Sequence, residues 1–521
     1  MSTPRARSNP LLQLGLCALI ALTWTGCERC SGGAAPLPDG PVKRARPARG
    51  VLGSNLLRFK DWSPQYVTVN AFKQSRAWFS SGADGQPDRR PLALDERGWV
   101  KSLSPGQQAR SLMFWAEGRV KYPAGRYIVT HEGTGELDYF GAGKRVEHAP
   151  GRDLVEVAPG GPGFGLALVR TEPADPVRNI VVRHASAPEG ELFHPDFLAS
   201  LPSAYRALRF MDWMATNGSS QVRWANRPKL EDARWTDHGV PVELMVRLAN
   251  RLKVDPWFCM PHQADDDYVR QFAEQVARTL DPSLHVYVEF SNEVWNGGFA
   301  QARFAQQQAA RDVARFGNEQ GAARWYASRA VRVFRIWRQA FVRDGGRVIR
   351  VLAGRASRPQ WLASMLSFED TAKQVDALAI APYLDADMAD TTGVEPILSR
   401  LESEGVPRVA SRVREHYALA KKHGLELVAY EGGQHLLAPR DARELNQRLT
   451  AANRHARMRD VYLAYLKAYK DAGGGLFMHF GHLGQYALDG RWGAFERYGQ
   501  PRSEAPKFDA LLQYAERYDS L

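Results

Sequence analysis

Hydrophobic residues in the second half of the chain alternate between two kinds of predicted element. From His194 onward, short runs rich in β-branched and aromatic residues are separated by segments with helical spacing, a pattern typical of parallel strands covered by helices. With one earlier run the predicted strands reach the eight that close a (β/α)8 TIM barrel. They span residues 51–59, 207–213, 255–262, 285–290, 347–352, 375–383, 425–431 and 476–480.

Residues 77–185 have a different pattern, with Gly, Pro and Asp turns between short alternating runs. This spacing predicts an all-β sandwich. Because a barrel-like strand precedes it, we interpret it as an insertion into an α/β barrel. The predicted organisation is a signal peptide at 1–26, a flexible tether at 27–50, a first barrel strand and helix at 51–76, the inserted sandwich at 77–185 and the rest of the barrel at 186–521.

The N-terminus predicts export. Arg5 and Arg7 precede an apolar run over residues 11–22, and Thr23-Trp-Thr-Gly leads to Cys27, the layout of a signal peptide. The segment resembles a bacterial lipoprotein signal in which Cys27 is lipidated, although Trp24 departs from the usual aliphatic residue. The expected location is the outer membrane or cell surface, with a periplasmic or secreted protein as the alternative.

Composition adds few constraints on function. The 521 residues, 44% of them hydrophobic, can bury one barrel of about 250 residues and a smaller core. The net charge of +12 is spread along the chain, which favours general basicity over a polyanion-binding surface, and no groove-reading helix or basic–aromatic stripe suggests nucleic acid. We expect a monomer whose partners are a polysaccharide and, through Cys27, a membrane.

Cysteine and acidic residues indicate neither a metal nor a cofactor. Of the four cysteines, Cys17 leaves with the signal and Cys27 is the lipidation candidate, so Cys30 and Cys259 cannot form a disulfide framework or metal cluster. The acidic triplet at residues 265–267 opens a predicted helix. It is either a metal site or, as we favour, a set of acidic side chains that stabilise the helix N-terminus through the helix dipole.

Polar and aromatic residues stand at the predicted strand ends, which meet at one face of a barrel, where such barrels carry their chemistry. A pair of carboxyl groups cleaves a glycosidic bond when one protonates the leaving oxygen and the other attacks or activates water. The candidates are Arg209, Asp212, Trp213, His262, Asn292, Glu293, Trp295, Tyr383, Glu431, His479 and Trp492.

Several of these residues have structural alternatives. Glu293 could cap a helix that begins near Gly298, and Arg209 could form an ion pair with Asp212. His262 could simply be hydrogen-bonded at the barrel rim. Trp213, Trp257, Trp295 and Trp492 could contact sugar or belong to the core.

The order of residues at the strand ends resembles clan A of the glycoside hydrolases, retaining enzymes on a β/α barrel. The resemblance rests on Arg209, Asn292-Glu293, Tyr383 and Glu431, at the second, fourth, sixth and seventh strands. It implies that Glu293 is the acid/base and Glu431 the nucleophile. From the residues themselves we expect the other candidates to bind substrate, with Arg209 keeping the attacking carboxylate ionised and Tyr383 orienting Glu431. Ser-Asn-Glu-Val-Trp-Asn at 291–296 also resembles an exported bacterial group described as cellulase-like or cellulose-binding.

One departure from that pattern concerns the eighth strand. Clan A usually places a Trp at its end, whereas this chain has Met478-His479-Phe480, so Phe480 or Trp492 takes that role or the subsite is altered. The sequence therefore predicts a retaining glycosidase of β-linked, glucan-like polysaccharide. The alternative is a non-catalytic polysaccharide-binding lipoprotein with a degenerate barrel.

Overall fold

A computed structural model describes residues 50–115, 122–342 and 344–519. The predicted signal peptide, the lipidation candidate Cys27 and nearly all of the tether lie outside these ranges and remain predictions. In the described part of the chain, every helix is too short or too polar to cross a membrane.

Eight parallel strands form a closed barrel, as the sequence predicts. The first strand pairs with the second through Gly53 and Ala207, and with the eighth through Leu52 and Phe477, which closes the sheet. Six of the eight strands end earlier than predicted, and their polar ends belong to the loops above the barrel. The strands are Leu52–Asn55, Ala207–Arg209, Asp255–Met260, Val286–Phe290, Val348–Ala353, Ala377–Ile380, Glu426–Ala429 and Phe477–His479.

Both faces of the barrel strands are buried, because helices cover the outside and side chains fill the inside. In the third strand, Phe258 belongs to the outer core, whereas Trp257 and Cys259 belong to the inner core. In the fourth strand, Val288 points outward and Tyr287 inward. Side chains of alternate residues therefore face the barrel axis.

Helices follow most barrel strands. Three of them, separated by short turns, lie between the fourth and fifth strands. A π-helical turn, Leu401–Gly405, joins two others. The α-helices are Pro195–Ser200, Val242–Leu252, Asp266–Thr279, Ala300–Ala310, Val313–Phe316, Gly321–Ala340, Pro359–Leu366, Val394–Arg400, Val406–Lys422, Arg443–Arg454, Met458–Asp471 and Pro506–Tyr518.

The prediction of a helix within residues 51–76 is wrong, because this segment contains a single 3-10 turn, Ala71–Gln74. Its N-cap residue, Asn70, is hydrogen-bonded to a strand of the segment that follows. The Asn70 side chain accepts hydrogen bonds from the Phe72 and Val182 amides and donates one to the Ile180 carbonyl. Four further 3-10 turns are Trp224–Asn226, Gly345–Arg347, Thr371–Lys373 and Arg502–Glu504.

Two four-stranded antiparallel sheets lie in sequence between the first and second barrel strands. Val129 and Val155 from one sheet and Leu137 and Leu166 from the other share one buried cluster. A two-stranded ribbon, Ala93–Leu94 with Val100–Ser102, accompanies them. The sheets contain Phe79–Gly82, Gln107–Met113, Phe164–Thr171 and Gly135–Gly141, and Arg178–His184, Gly125–Glu132, Arg152–Val157 and Gly143–Ala149.

Candidate active site

Arg209 lies at the centre of a polar cluster at the carboxyl end of the barrel, and its side chain is fully buried. Its Nε and Nη2 donate to Glu289 Oε2 at 3.1 and 2.9 Å. Nη1 donates to Asn55 Oδ1 at 3.1 Å, and Nη2 also donates to Asn292 Oδ1 at 2.8 Å. Arg209 Nη1 lies 3.8 Å from Glu431 Oε1. This one guanidinium therefore connects the first, second, fourth and seventh strands.

Glu431 follows the seventh strand and is buried. The Tyr383 hydroxyl donates to its Oε2 at 2.9 Å, while Oε1 faces Arg209. Burial raises the pKa of the Glu431 carboxyl, and the nearby charge of Glu293 raises it further, whereas Arg209 and Tyr383 act in the opposite direction. The raising effects are the larger ones and bring the pKa of Glu431 to about 8, so this carboxyl keeps its proton to a higher pH than a free glutamate does.

Glu293 stands in a strained turn after the fourth strand. Ser291 and Glu293 both have positive φ, +62° and +43°, which is unfavourable for residues other than Gly and occurs often at functional sites. Tyr430 donates to Glu293 Oε1 at 3.2 Å, and Asn296 Nδ2 donates to Oε2 at 2.9 Å. The helix that follows begins at Ala300 with Phe299 at its cap, so the alternative that Glu293 caps this helix is wrong.

The two carboxyl groups influence each other's proton affinity. Burial raises the pKa of Glu293, its hydrogen bonds from Asn296 and Tyr430 and the charge of Arg209 lower it, and the charge of Glu289 raises it. Because a charge on either Glu293 or Glu431 disfavours a charge on the other, the pair loses its two protons in separate steps. Between these steps the site holds one carboxylate and one carboxylic acid.

Asn292 belongs to a hydrogen-bonded chain that leads out of the cluster. Its Oδ1 accepts from Arg209, and its Nδ2 donates to Asn217 Oδ1 at 3.0 Å. Gln301 Nε2 donates to the same Asn217 oxygen at 2.6 Å and to the Asn292 carbonyl at 2.8 Å. The position of the Asn292 amide is thus fixed from both sides.

Three residues of the cluster were missed by the sequence analysis: Asn55, Glu289 and Tyr430. Glu289 Oε2 also accepts a hydrogen bond from Trp257 Nε1 at 2.9 Å, and the Glu289 side chain is fully buried. Glu289 could have been found from its position in the fourth strand. Side chains alternate between the two faces of a strand, so Glu289 lies on the inner face together with Tyr287. A carboxylate on that face needs a buried cation.

Asp212 and Trp213 follow the second strand but do not contact either glutamate directly. Asp212 lies 3.5 Å from Arg58 and forms its ion pair there. The alternative that Arg209 pairs with Asp212 is therefore wrong. Trp213 is fully buried and packs edge-on against Phe59 at a ring distance of 5.9 Å. The Trp213 ring is therefore a core residue without an open face for sugar stacking.

The two candidate histidines are buried. His262 packs edge-on against Phe304 at 5.3 Å, and burial lowers its pKa; its Nδ1 has no hydrogen-bond partner in the described residues. His479 bonds the Gly481 carbonyl through Nδ1 at 3.1 Å. Burial lowers the His479 pKa to about 3. Both imidazoles are therefore neutral near pH 7.

Trp492 completes an aromatic group beside Glu431. Its ring centroid lies 5.8 Å from Tyr383, 5.6 Å from Phe480 and 5.0 Å from His435. Phe480 and Trp492 thus stand next to the tyrosine that binds Glu431. Trp295 is farther along the loop after Glu293, with the Arg355 guanidinium 5.5 Å from its ring centroid.

The described residues contain no group of three or more His, Cys, Asp or Glu side chains arranged to hold a metal ion. The acidic triplet at 265–267 acts at a helix start, because the Asp265 side chain accepts a hydrogen bond from the Tyr268 amide at 2.7 Å. Cys259, buried on the third strand, lies with its Sγ 3.5 Å from Glu289 Oε2.

No protein-family model and no curated protein sequence matches the chain. Among solved structures, a 4-O-α-L-rhamnosyl-β-D-glucuronidase from Fusarium oxysporum has 13% identity and a TM-score of 0.39, covering 62% of this chain and 65% of its own. A GH5-4 broad-specificity endoglucanase from an uncultured bacterium has 12% identity and a TM-score of 0.34, covering 63% and 84%. A GH26 β-mannanase from Bacteroides ovatus has 8% identity and a TM-score of 0.32, covering 60% and 79%. Similarities at this level do not identify a substrate or an activity.

Proposed function

We propose that the protein is a retaining glycoside hydrolase that acts on a β-linked, glucan-like polysaccharide outside the cytoplasm. The observation that carries the proposal is the pair Glu293 and Glu431, at the ends of the fourth and seventh barrel strands. Each carboxyl accepts a hydrogen bond from a tyrosine, and Arg209 lies beside Glu431. Two carboxyl groups at one barrel mouth are the machinery that cleavage of a glycosidic bond requires.

In the first half of the proposed reaction, Glu431 is the nucleophile. Its Oε2 is held by Tyr383, which leaves Oε1 to attack the anomeric carbon. As the glycosyl ester forms, Glu293 transfers its proton to the leaving oxygen. In the second half, ionised Glu293 takes a proton from water, the water attacks the anomeric carbon, and Glu431 is released as a carboxylate.

The charge distribution supports this assignment of roles. Arg209 lies 3.8 Å from Glu431 and favours the ionised form there, as a nucleophile needs. Burial raises the pKa of Glu293, which favours the protonated form that a general acid needs before reaction. Burial also raises the pKa of Glu431, to about 8, so the pair retains a proton near neutral pH, and the proposed mechanism requires that proton to be on Glu293 before reaction.

The competing proposal is a polysaccharide-binding protein with a degenerate barrel, suggested by the absence of Trp from the eighth strand. Phe480 and Trp492 form an aromatic wall next to Tyr383, so an aromatic surface is present beside the glutamates. Both glutamates also retain hydrogen-bonding partners. These two observations favour the enzyme.

The test is hydrolysis of β-glucans, β-mannans, xylans and arabinans by the full chain, with Glu431→Gln alongside. Glu426→Gln is the matched control, because Glu426 is exposed at the opposite end of the same strand. We expect sugar release by the parent and the control, and a loss of at least about a thousandfold in Glu431→Gln. Binding of an insoluble polysaccharide by all three proteins without hydrolysis by any would establish the binding protein instead.

We further infer that residues 77–185 form an inserted β-sandwich and that the chain is exported and anchored through Cys27. The shared core of the two antiparallel sheets supports the first inference, and the charged and apolar N-terminal pattern supports the second. Replacing Cys27 by Ser should move the protein from the membrane fraction to the soluble fraction. Retention of Cys27→Ser in the membrane fraction would contradict the lipid anchor.

A further inference from the structure

A cavity of about 200 Å³ lies between the loops that follow the first and second barrel strands. Arg58 and Lys60 contribute to it from the first loop, and Asp212, Trp213 and Asn217 from the second. These loops belong to the carboxyl end of the barrel, where Arg209 and the two glutamates also lie. The cavity is large enough for a substituent of a sugar ring.

The charges that line the cavity favour an anion. Arg58 and Lys60 are cationic, and Asp212 is the one carboxylate among the lining residues. The Arg58 side chain is 59% exposed and touches Asp212 at a single 3.5 Å contact, so most of its N–H groups are free to donate. The Lys60 ammonium is held at the wall by the Thr236 carbonyl. A carboxylate or sulfate group would accept hydrogen bonds from the free N–H groups of Arg58.

The cavity is connected to the candidate catalytic residues by hydrogen bonds. Asn217 lines the cavity, and its Oδ1 accepts from Asn292, whose own Oδ1 accepts from Arg209. Trp62, in the loop that also carries Arg58 and Lys60, is 46% exposed. An exposed Trp provides an apolar face for a sugar ring next to a polar subsite.

We propose that this cavity is a subsite for an anionic substituent of the polysaccharide, a uronate carboxylate or a sulfate ester. Arg58 binds the anion, and the hydrogen-bonded residues Asn217 and Asn292 connect the cavity to the reaction centre. This inference rests on the proposed function, since it names the substrate class of the same site.

The test measures binding rather than turnover, in the full-length Glu431→Gln protein. The probes are oligomers of β-1,4-glucan oxidised to the acid at C6, the methyl esters of those acids, and 6-sulfated β-1,4-glucan. We expect the acid or the sulfate to bind at least about tenfold more tightly than the ester, as loss of one charged hydrogen bond implies. Preference for the acid indicates a uronate, and preference for the sulfate indicates a sulfated glycan.

Substitutions at Arg58 assign the preference to the cavity. Arg58→Ala should remove it and leave binding of the ester within about twofold, while Arg58→Lys retains part of it because the charge remains. The matched control is Arg206→Ala, at the opposite end of the barrel. Arg206 pairs with Asp519 at 3.1 Å, with side chains 43% and 15% exposed, compared with 59% and 11% for Arg58 and Asp212.

Three results would overturn the proposal: equal affinity for acid, sulfate and ester, binding of none of them, or a preference that survives in Arg58→Ala. The outcome is separable from the proposed enzymatic activity. Hydrolysis of neutral glucans with no influence of charge would refute the anionic subsite and leave the glycosidase standing. Binding of acidic glycans by a protein that hydrolyses nothing would support the anionic subsite and refute the glycosidase.

Discussion

Glu289 offers a sharp test of the electrostatics of the site. Its Oε2 accepts hydrogen bonds from two nitrogens of Arg209 and from Trp257, and both members of the ion pair have side chains that are fully buried. Replacing Glu289 by Gln keeps the shape and an acceptor oxygen but removes the charge that balances Arg209. Breaking a buried ion pair in this way costs about 3–5 kcal/mol of stability.

The substitution should also change the pH dependence of catalysis. The charge of Glu289 raises the pKa of Glu293, so Glu289→Gln lowers the pKa of the proposed acid. The alkaline limb of the kcat/KM profile, where Glu293 loses its proton, should therefore move to lower pH.

Asp376→Asn is the matched control for this experiment. Arg350 and Asp376 form a second buried pair, 2.8 Å apart with both side chains 1% exposed, and Asp376 precedes the sixth strand at the end remote from the glutamates. The control should lose similar stability in thermal unfolding and leave the pH profile unchanged. An unchanged alkaline limb in Glu289→Gln, or an equal shift in Asp376→Asn, would refute the reasoning.

Three further substitutions have defined outcomes. Tyr383→Phe removes a hydrogen bond to the proposed nucleophile worth about 1.5–3 kcal/mol, so kcat/KM should fall about 10- to 100-fold, and a change below threefold would contradict this role. Tyr430→Phe removes a bond that lowers the pKa of Glu293, so the alkaline limb should move upward; a downward shift would show that the sign is wrong. Burial raises the pKa of Asp255 to about 7, so its folded form binds a proton more tightly than its unfolded form and stability falls as pH rises from about 4 to about 7. Asp255→Asn should therefore gain up to about 4 kcal/mol in urea unfolding at pH 8 and little at pH 4, and an equal gain at both would exclude proton linkage.

Much of the barrel could be predicted because each of its strands has a local signal. Runs such as Val286–Phe290 are short, mostly apolar and followed by polar residues, and the eight of them appear in the order in which they pair. The prediction of a helix before residue 76 was wrong because a distant contact determines the local structure. Asn70 binds the backbone at Ile180 and Val182, and no pattern within the segment reveals a partner 110 residues away.

The candidate site shows the same division between local and non-local information. Asn292, Glu293 and Glu431 are recognisable because each follows a strand. The partner of Arg209 was not recognisable, since Glu289 lies within a strand and reaches it only when the barrel closes. Asp212, three residues from Arg209 in sequence, pairs with Arg58 from another loop. Proximity in sequence was therefore a poor guide to the ion pairs.

The central claim is that Glu431 forms a covalent bond with the substrate. The most direct measurement is mass spectrometry of the protein after reaction with a panel of 2-deoxy-2-fluoro-β-glycosyl fluorides, whose glycosyl esters hydrolyse slowly. The account predicts one added glycosyl group per chain, on the peptide that contains Glu431, and none in Glu431→Gln. An adduct on a different carboxylate, or hydrolysis of polysaccharide with no adduct from any member of the panel, would contradict it.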